Sequence, residues 1–285
     1  MNLIKQARAA VSMLNPEEVR NRARRPVHAG LVAVGDAAFA EMEDFLLPVG
    51  MDRHVRAELL ELVHRAGDPD APASVDLVMY QAGIALDKGT YTLDPNDPDL
   101  LVAAIMREKE ELALPLARQF PGLRKFVVDR IVQAVARENA LFAIAAALPN
   151  VMPNLIELPW ALGEFASDTA FLTANQVRMA FLIAGACGKE VGFGRQKGEV
   201  LSIMASAFGW RAIARELVGK IPLGGGLIPK GAIAYAGTFA VGKGLEYYNR
   251  ANVHFTREQS ESVYRQALEK GRQVAESIGG SFRRA

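Results

Sequence analysis

Residues 237–244, GTFAVGKG, carry the G-x-x-x-x-G-K spacing of a loop that wraps nucleotide phosphates. Gly237, Gly242 and Lys243 fit that spacing, but Gly244 stands where a Ser or Thr hydroxyl would reach Mg²⁺. Such a loop lies between a buried strand and a helix. The surrounding KGAIAYAGTFAVGKGLEYY contains no strand-to-helix transition. Instead, Ala232, Ala236, Ala240 and Gly244 recur at every fourth residue. Small side chains at that spacing line one face of a helix, where a second helix backbone can approach closely. The spacing predicts a packed helix here, with no phosphate loop.

The remaining reactive residues form no complete site. His54, Glu58 and Glu61 share a helical face, and Glu61-Leu62-Val63-His64 has the Glu-x-x-His spacing of di-iron bundles. That chemistry needs a second copy and further inward carboxylates; a solvated helix face is the simpler reading. Cys187 falls near the end of an apolar helix, where a thiolate is disfavoured and the residue serves packing. Arg211 and Arg215 lie one turn apart beside Trp210. They could grip a phosphate or a partner carboxylate, although a surface pairing with Glu216 is the plainer assignment. RNRARR, residues 20–25, could meet anionic lipid or RNA, but arginines at a helix C-terminus also offset its dipole. The sequence contains no G-x-S-x-G and no zinc spacing. We therefore expect no catalytic residues, no cofactor and no metal, and read the chain as not an enzyme.

Composition narrows the class. The chain has 285 residues, half of them apolar, and 33 basic against 32 acidic residues, for a formal net charge of +1. That balance argues against a general nucleic-acid binder. One cysteine excludes an intrachain disulfide and suits a reducing compartment. MNLIKQARAAVSML has polar interruptions and no small-residue cleavage site, so no secretory signal is expected. The longest charge-free run, 140–156, is broken by Pro149 and Pro153, and Lys230 and Lys243 interrupt 221–245. A spanning helix needs about 20 mostly apolar residues, so the expected place is the cytoplasm or the inner face of its membrane.

Residues 1–25 read as helix, restarted at Asn15-Pro16-Glu17-Glu18 by a good N-cap and a first-position proline. VHAGLVAVGD (27–36) reads as a buried strand, AAFAEMEDFLL as a helix stopped by Pro48, and 53–65 as a third helix. VDLVMYQAGIAL (75–86) is a second strand and TYTLDPNDPDL a turn-rich segment. Beyond Pro98 helices are predicted at roughly 99–118, 122–148, 155–166, 174–187, 198–218, 228–249 and 257–277. Thr173–Gln176 and Thr256–Gln259 fit the capping box, with Gly188 closing the first of these helices. Helix 174–187 is apolar nearly all round and so is expected to be buried in a core or in lipid; the last helix is polar over most of its surface and is expected on the outside. The chain is thus mainly α: a small α/β unit within residues 1–118, then a multi-helix bundle over 119–285.

The C-terminal half, about 120–250, resembles the YcjF-like helical domain that accompanies or is fused to GTPases. The residues that carry the resemblance are Asp168-Thr169, LTANQVRM (172–179), Gly188, RAIAREL (211–217), IPLGGG (221–226), AYAGTFAVGKG (234–244) and Tyr247-Tyr248. The resemblance implies a helical, membrane-associated module without an established catalytic set, and marks Asn175 and Gln176 as interaction candidates. To these we add Arg211, Arg215, Ala232, Ala236, Ala240 and Gly244. By the same resemblance the α/β unit reads as a degenerate GTPase-like remnant. Gly35 is followed by Asp36-Ala37-Ala38, and DPNDPD does not restore a guanine-reading motif. The function expected is a non-catalytic helical partner or scaffold, acting with a GTPase, at a membrane surface, or as a homo-oligomer. The alternative is a nucleotide-binding enzyme with an unrecognised site in the α/β unit.

Overall fold

The computed structural model describes residues 11, 14–65, 67–68, 72, 74–84, 91–147, 168–203 and 226–282. The helix expected at 155–166, and Trp210, Arg211 and Arg215, lie outside the described residues, as do most of 1–13 and 204–225. The protein is mainly α-helical with one small parallel sheet. It divides into two compact units. The first, an α/β unit, comprises Glu18–Arg130 and Ala184–Glu190; the second, a helical unit, comprises Met1–Glu17, Ile131–Ile183 and Val191–Ala285.

In chain order the α/β unit takes in α1 (Pro16–Arg24, from Glu18 onward), β1 (Ala29–Val32), α2 (Asp36–Leu46), α3 (Arg53–Leu60), β2 (Val63–Arg65), β3 (Leu77–Gln81) and β4 (Tyr91–Leu93). It continues with α4 (Asp99–Glu108), α5 (Glu110–Gln119) and the start of α6 (Pro121–Ala145). Asn15 caps α1 as expected, its Oδ1 accepting the Glu17 N–H at 3.1 Å. The strands are all parallel in the order β2-β1-β3-β4. Alternation along each strand puts Ala29, Leu31, Leu77, Met79 and Leu93 on one fully buried face.

Three expectations in this unit need correction. The helix expected over 53–65 stops at Leu60, because Val63–Arg65 pairs with β1 in the register Ala29↔Val63. Sheet pairing thus overrides local helical pattern, helped by a β-branched valine. Tyr91–Leu93, read as turn, is an edge strand whose Leu93 is fully buried; the turn itself follows, with Asp94 Oδ1 accepting the Asn96 N–H at 2.9 Å. The single helix expected over 99–118 breaks at Lys109, which leaves helical geometry (φ −142°, ψ 51°) while its ammonium donates to the Asp76 carbonyl at 2.8 Å.

Polar side chains in this unit hold irregular backbone. Buried Gln119 donates to the Arg25 and Pro115 carbonyls at 2.8 and 3.0 Å and accepts the Val27 N–H at 3.0 Å. It thereby fixes the entry into β1. Arg124 donates to the Ala117 and Arg118 carbonyls. Where α6 begins, a Cβ at Gly122 would lie 1.9 Å from the Phe45 carbonyl oxygen, so only glycine fits.

The helical unit contains the remainder of α6, α7 (Asp168–Ala186, up to Ile183), a helical stretch at 197–203, α8 (Leu227–Ala251) and α9 (Arg257–Phe282). α7 is buried on most sides, through Phe171, Val177, Phe181 and Ile183 among others, as its apolar surround requires. It begins six residues earlier than expected: Thr173 is a buried residue inside the helix and not its cap. Its C-terminus, Ala184–Lys189, does close as expected. Gly188 adopts φ +75°, its N–H bonds to Gly185 O at 3.1 Å, and the Lys189 N–H reaches Ala184 O at 2.9 Å. The capping box before α9 is complete: Thr256 N–H donates to Gln259 Oε1 at 2.9 Å and Gln259 N–H to Thr256 Oγ1 at 3.2 Å. α9 buries one stripe, Tyr264, Ala267, Gly271, Ala275 and Ile278, with Val263, Leu268 and Val274 half-buried beside it, and exposes its outer face.

Candidate functional site

Gly237–Gly244 lies wholly within α8. Its backbone N–H groups belong to a helix ladder and cannot cradle a phosphate. The Lys243 ammonium is paired with the Glu246 carboxylate one turn on. The small residues of α8 serve two neighbours. A Cβ at Gly231 would lie 2.6 Å from Ile144 Cδ1, and one at Gly242 2.6 Å from Val132 Cγ1, so both glycines admit α6. Ala232, Ala236 and Ala240 are buried on the side toward α9. There a Cβ at Gly271 would meet the Ala232 carbonyl at 2.7 Å, and Ala236 and Ala240 pack with Tyr264 and Ala267. Three of the four stripe residues thus make a contact inside the chain.

Asn175 and Gln176 belong to a buried polar network that joins α6, α7 and α8. Asn139, fully buried, donates to Thr238 Oγ1 at 2.8 Å, and Gln176 donates to the same hydroxyl at 3.2 Å. Asn175 donates to Asn139 Oδ1 and to Glu138 Oε2, both at 2.9 Å. Arg178 closes the circuit, bonding Asn175 Oδ1 at 2.9 Å and Glu138 Oε2 at 2.6 Å. Thr238 sits beside Gly237, inside the very string that mimics a phosphate loop.

The end of the small-residue stripe opens onto a cleft of about 370 Å³. Ala240 and Gly244 form part of its wall, with Glu199 and Ser202 from the stretch 197–203, Leu245 and Tyr248 from α8, and His254, Phe255 and Ser260 beyond. Among the described residues a Cβ at Gly244 would find only Phe255 Cδ2, at 3.6 Å, an ordinary contact. Asn252 in the left-handed conformation ends α8 and turns the chain back. That turn stacks His254 on Tyr248 (centroids 4.3 Å apart, 10° between planes) and sets Phe255 against Tyr247 at 5.0 Å. Leu201 and Val253, neighbours in sequence of two lining residues, are 56% and 54% exposed.

In the α/β unit a ligand site is sought where the strand order reverses, at the C-terminal ends of β1 and β3. Gln81 Oε1 there accepts the Val34 N–H at 2.9 Å, and Asp36 opens α2 with its carboxylate 2.7 Å from Arg65. An acidic side chain thus occupies the positive end of the helix that a phosphate would use. At the other end of the sheet His28 Nδ1 and His64 Nε2 are 2.9 Å apart in stacked rings. Burial, and then the neighbouring His28, hold the His64 imidazole below its ordinary value. His64 lies on β2 and Glu61 is the C-cap of α3, so the Glu-x-x-His spacing does not fall on a helix face. His54, Glu58 and Glu61 are solvated, and no metal-binding group occurs among the described residues. Arg24 pairs with Glu190, and Arg25 with Asp76 at 2.6 Å, which engages two of the arginines of RNRARR within the unit.

The chain matches no family model, no curated protein and no solved structure. The site therefore rests on its own geometry. Sequence reasoning missed Asn139 and Thr238, although a polar residue inside an apolar helical run was a usable signal. It also missed Glu199 and His254, which no spacing rule connects to α8.

Proposed function

We propose that the chain is a non-catalytic helical partner or scaffold protein that works with a GTPase or at a membrane surface, its helical half being YcjF-like. The observation that carries this reading is the closed state of α8. Its phosphate-loop string is spent on packing, its lysine is paired with Glu246, and its register is held by the Asn139–Thr238 network. Such a unit is stiff, and it still offers apolar Leu201 and Val253 to solvent beside a cleft. Of the two settings, the GTPase is favoured over the membrane. Arg24 and Arg25 are engaged internally, and no helix among the described residues is long and apolar enough to span a bilayer.

The alternative, a nucleotide-binding α/β unit, draws support from the all-parallel sheet and its strand reversal. Asp36 and Gln81 at that point count against it. Calorimetric titration with GTP and ATP tests both readings, with hydrolysis compared between the wild type and Lys243→Ala. The expected outcome is no binding heat, and turnover equal to a blank in both proteins. Turnover that disappears in Lys243→Ala would restore the phosphate loop. Saturable nucleotide binding that survives it would instead favour the α/β unit.

A further inference from the structure

The cleft at the end of α8 has a chemistry that goes beyond a partner role. Glu199 is the one carboxylate among the described residues of its wall, and no described lysine or arginine lines it. Glu199 has no hydrogen bond or ion pair among the described residues. A partly buried carboxylate without a cation is stabilised by any positive group that enters. The rest of the wall is suited to that same guest. Tyr248 and Phe255 supply aromatic surface, which attracts cations through the ring quadrupole. Both are held in place, one by the stack with His254 and the other by the contact with Tyr247. Ser260 donates its proton to the Thr256 carbonyl at 3.0 Å, so its oxygen faces a guest as an acceptor, and Ser202 adds a second hydroxyl. Leu245 gives an apolar floor. Among the described residues an anion would meet Glu199 with no lysine or arginine to offset it. The volume of about 370 Å³ lies in the range of small-molecule sites.

We propose that this cleft binds a small organic ammonium ion, with its charged end on Glu199 and its apolar body against Tyr248, Phe255 and Leu245. The test titrates the full chain with phenethylammonium and with 3-phenylpropionate, a probe of similar size and opposite charge. Binding is read by calorimetry and by amide chemical shifts at about pH 8, where an ordinary imidazole is neutral. Phenethylammonium should saturate, with shifts centred on residues 198–203 and 240–260, and phenylpropionate should not. Glu199→Gln should weaken the ammonium by about tenfold or more, the loss of one charge-assisted hydrogen bond. Gly244→Leu should block the cleft. If that variant misfolds, Glu199→Gln alone decides, because its side chain lines the cleft and bonds no other described residue. Equal binding of both probes, binding of neither, or an unchanged affinity in Glu199→Gln would overturn the proposal.

Discussion

The two units use polar side chains for opposite purposes. In the α/β unit they bind backbone: Gln119 holds the Arg25 and Pro115 carbonyls and the Val27 N–H, Lys109 the Asp76 carbonyl, and Arg124 two carbonyls at the end of α5. In the helical unit the network between α6, α7 and α8 joins side chains to one another, from Glu138 and Arg178 through Asn175 and Asn139 to Thr238 and Gln176. The physical reason lies in the backbone. Short strands joined by irregular connections leave N–H and C=O groups that must be paired when buried. Long helices pair their own, so their buried polar side chains are left to select which helix faces meet. Glycine follows the same division. Gly122 avoids a carbonyl oxygen, whereas Gly231 and Gly242 avoid the side chains of Ile144 and Val132.

The strongest way to sharpen this contrast is at glycine. Gly122→Ala should cost about 3 kcal/mol or more, because the Phe45 backbone cannot yield as a side chain can. Gly237→Ala, with no atom of the described residues within 4 Å of the new methyl, should be neutral or stabilising by up to about 1 kcal/mol through helix propensity. Chemical denaturation of both variants checks this, and equal losses would erase the distinction.

Smaller effects are expected from the polar networks. Asn139→Ala should cost about 2–3 kcal/mol by removing one partner each of Asn175 and Thr238, and Gln119→Ala a similar amount by leaving the Val27 N–H without its acceptor and the Arg25 carbonyl without its side-chain donor. The two should differ in a double-mutant cycle. Asn139→Ala should couple to Thr238→Val by about 1 kcal/mol or more, whereas Gln119→Ala should be additive with it. Coupling across both pairs would mean that the networks are not separate.

The smallest effect is set by pH. His64 is held below its ordinary value of 6.5 in the folded chain, so the unfolded chain binds more protons as pH falls through that value. Stability from the neutral His64–His28 contact is therefore present above pH 6.5 and is lost as pH drops toward the lowered value. Acid titration of stability in the wild type and His64→Gln measures it. The wild type should lose more over that window, and parallel curves would remove His64 from the account.

Local signals were legible wherever neighbouring residues suffice. Asn15 before Pro16, Thr256 with Gln259, and Gly188 after an apolar run each specify a helix end within a few residues, and each is found there. The helical nature of Gly237–Gly244 was legible too, because the alanines at four-residue spacing extend through it without a break. Thr173 carried the same capping signal as Thr256 and misled, because the helix had already begun at Asp168 and burial, not capping, occupies that side chain.

What the sequence determined by itself, then, is the class of fold and those helix ends whose cause lies within one turn. Tertiary structure decided the rest, because partners distant in sequence supply the energy. Val63–Arg65 becomes a strand only beside β1, and Tyr91–Leu93 only beside β3. Lys109 breaks a helix where it can reach the Asp76 carbonyl, 33 residues away. Asn139 meets Thr238 across 99 residues, and His254 joins Glu199 and Tyr248 in the wall of one cleft only because Asn252 turns the chain back after α8.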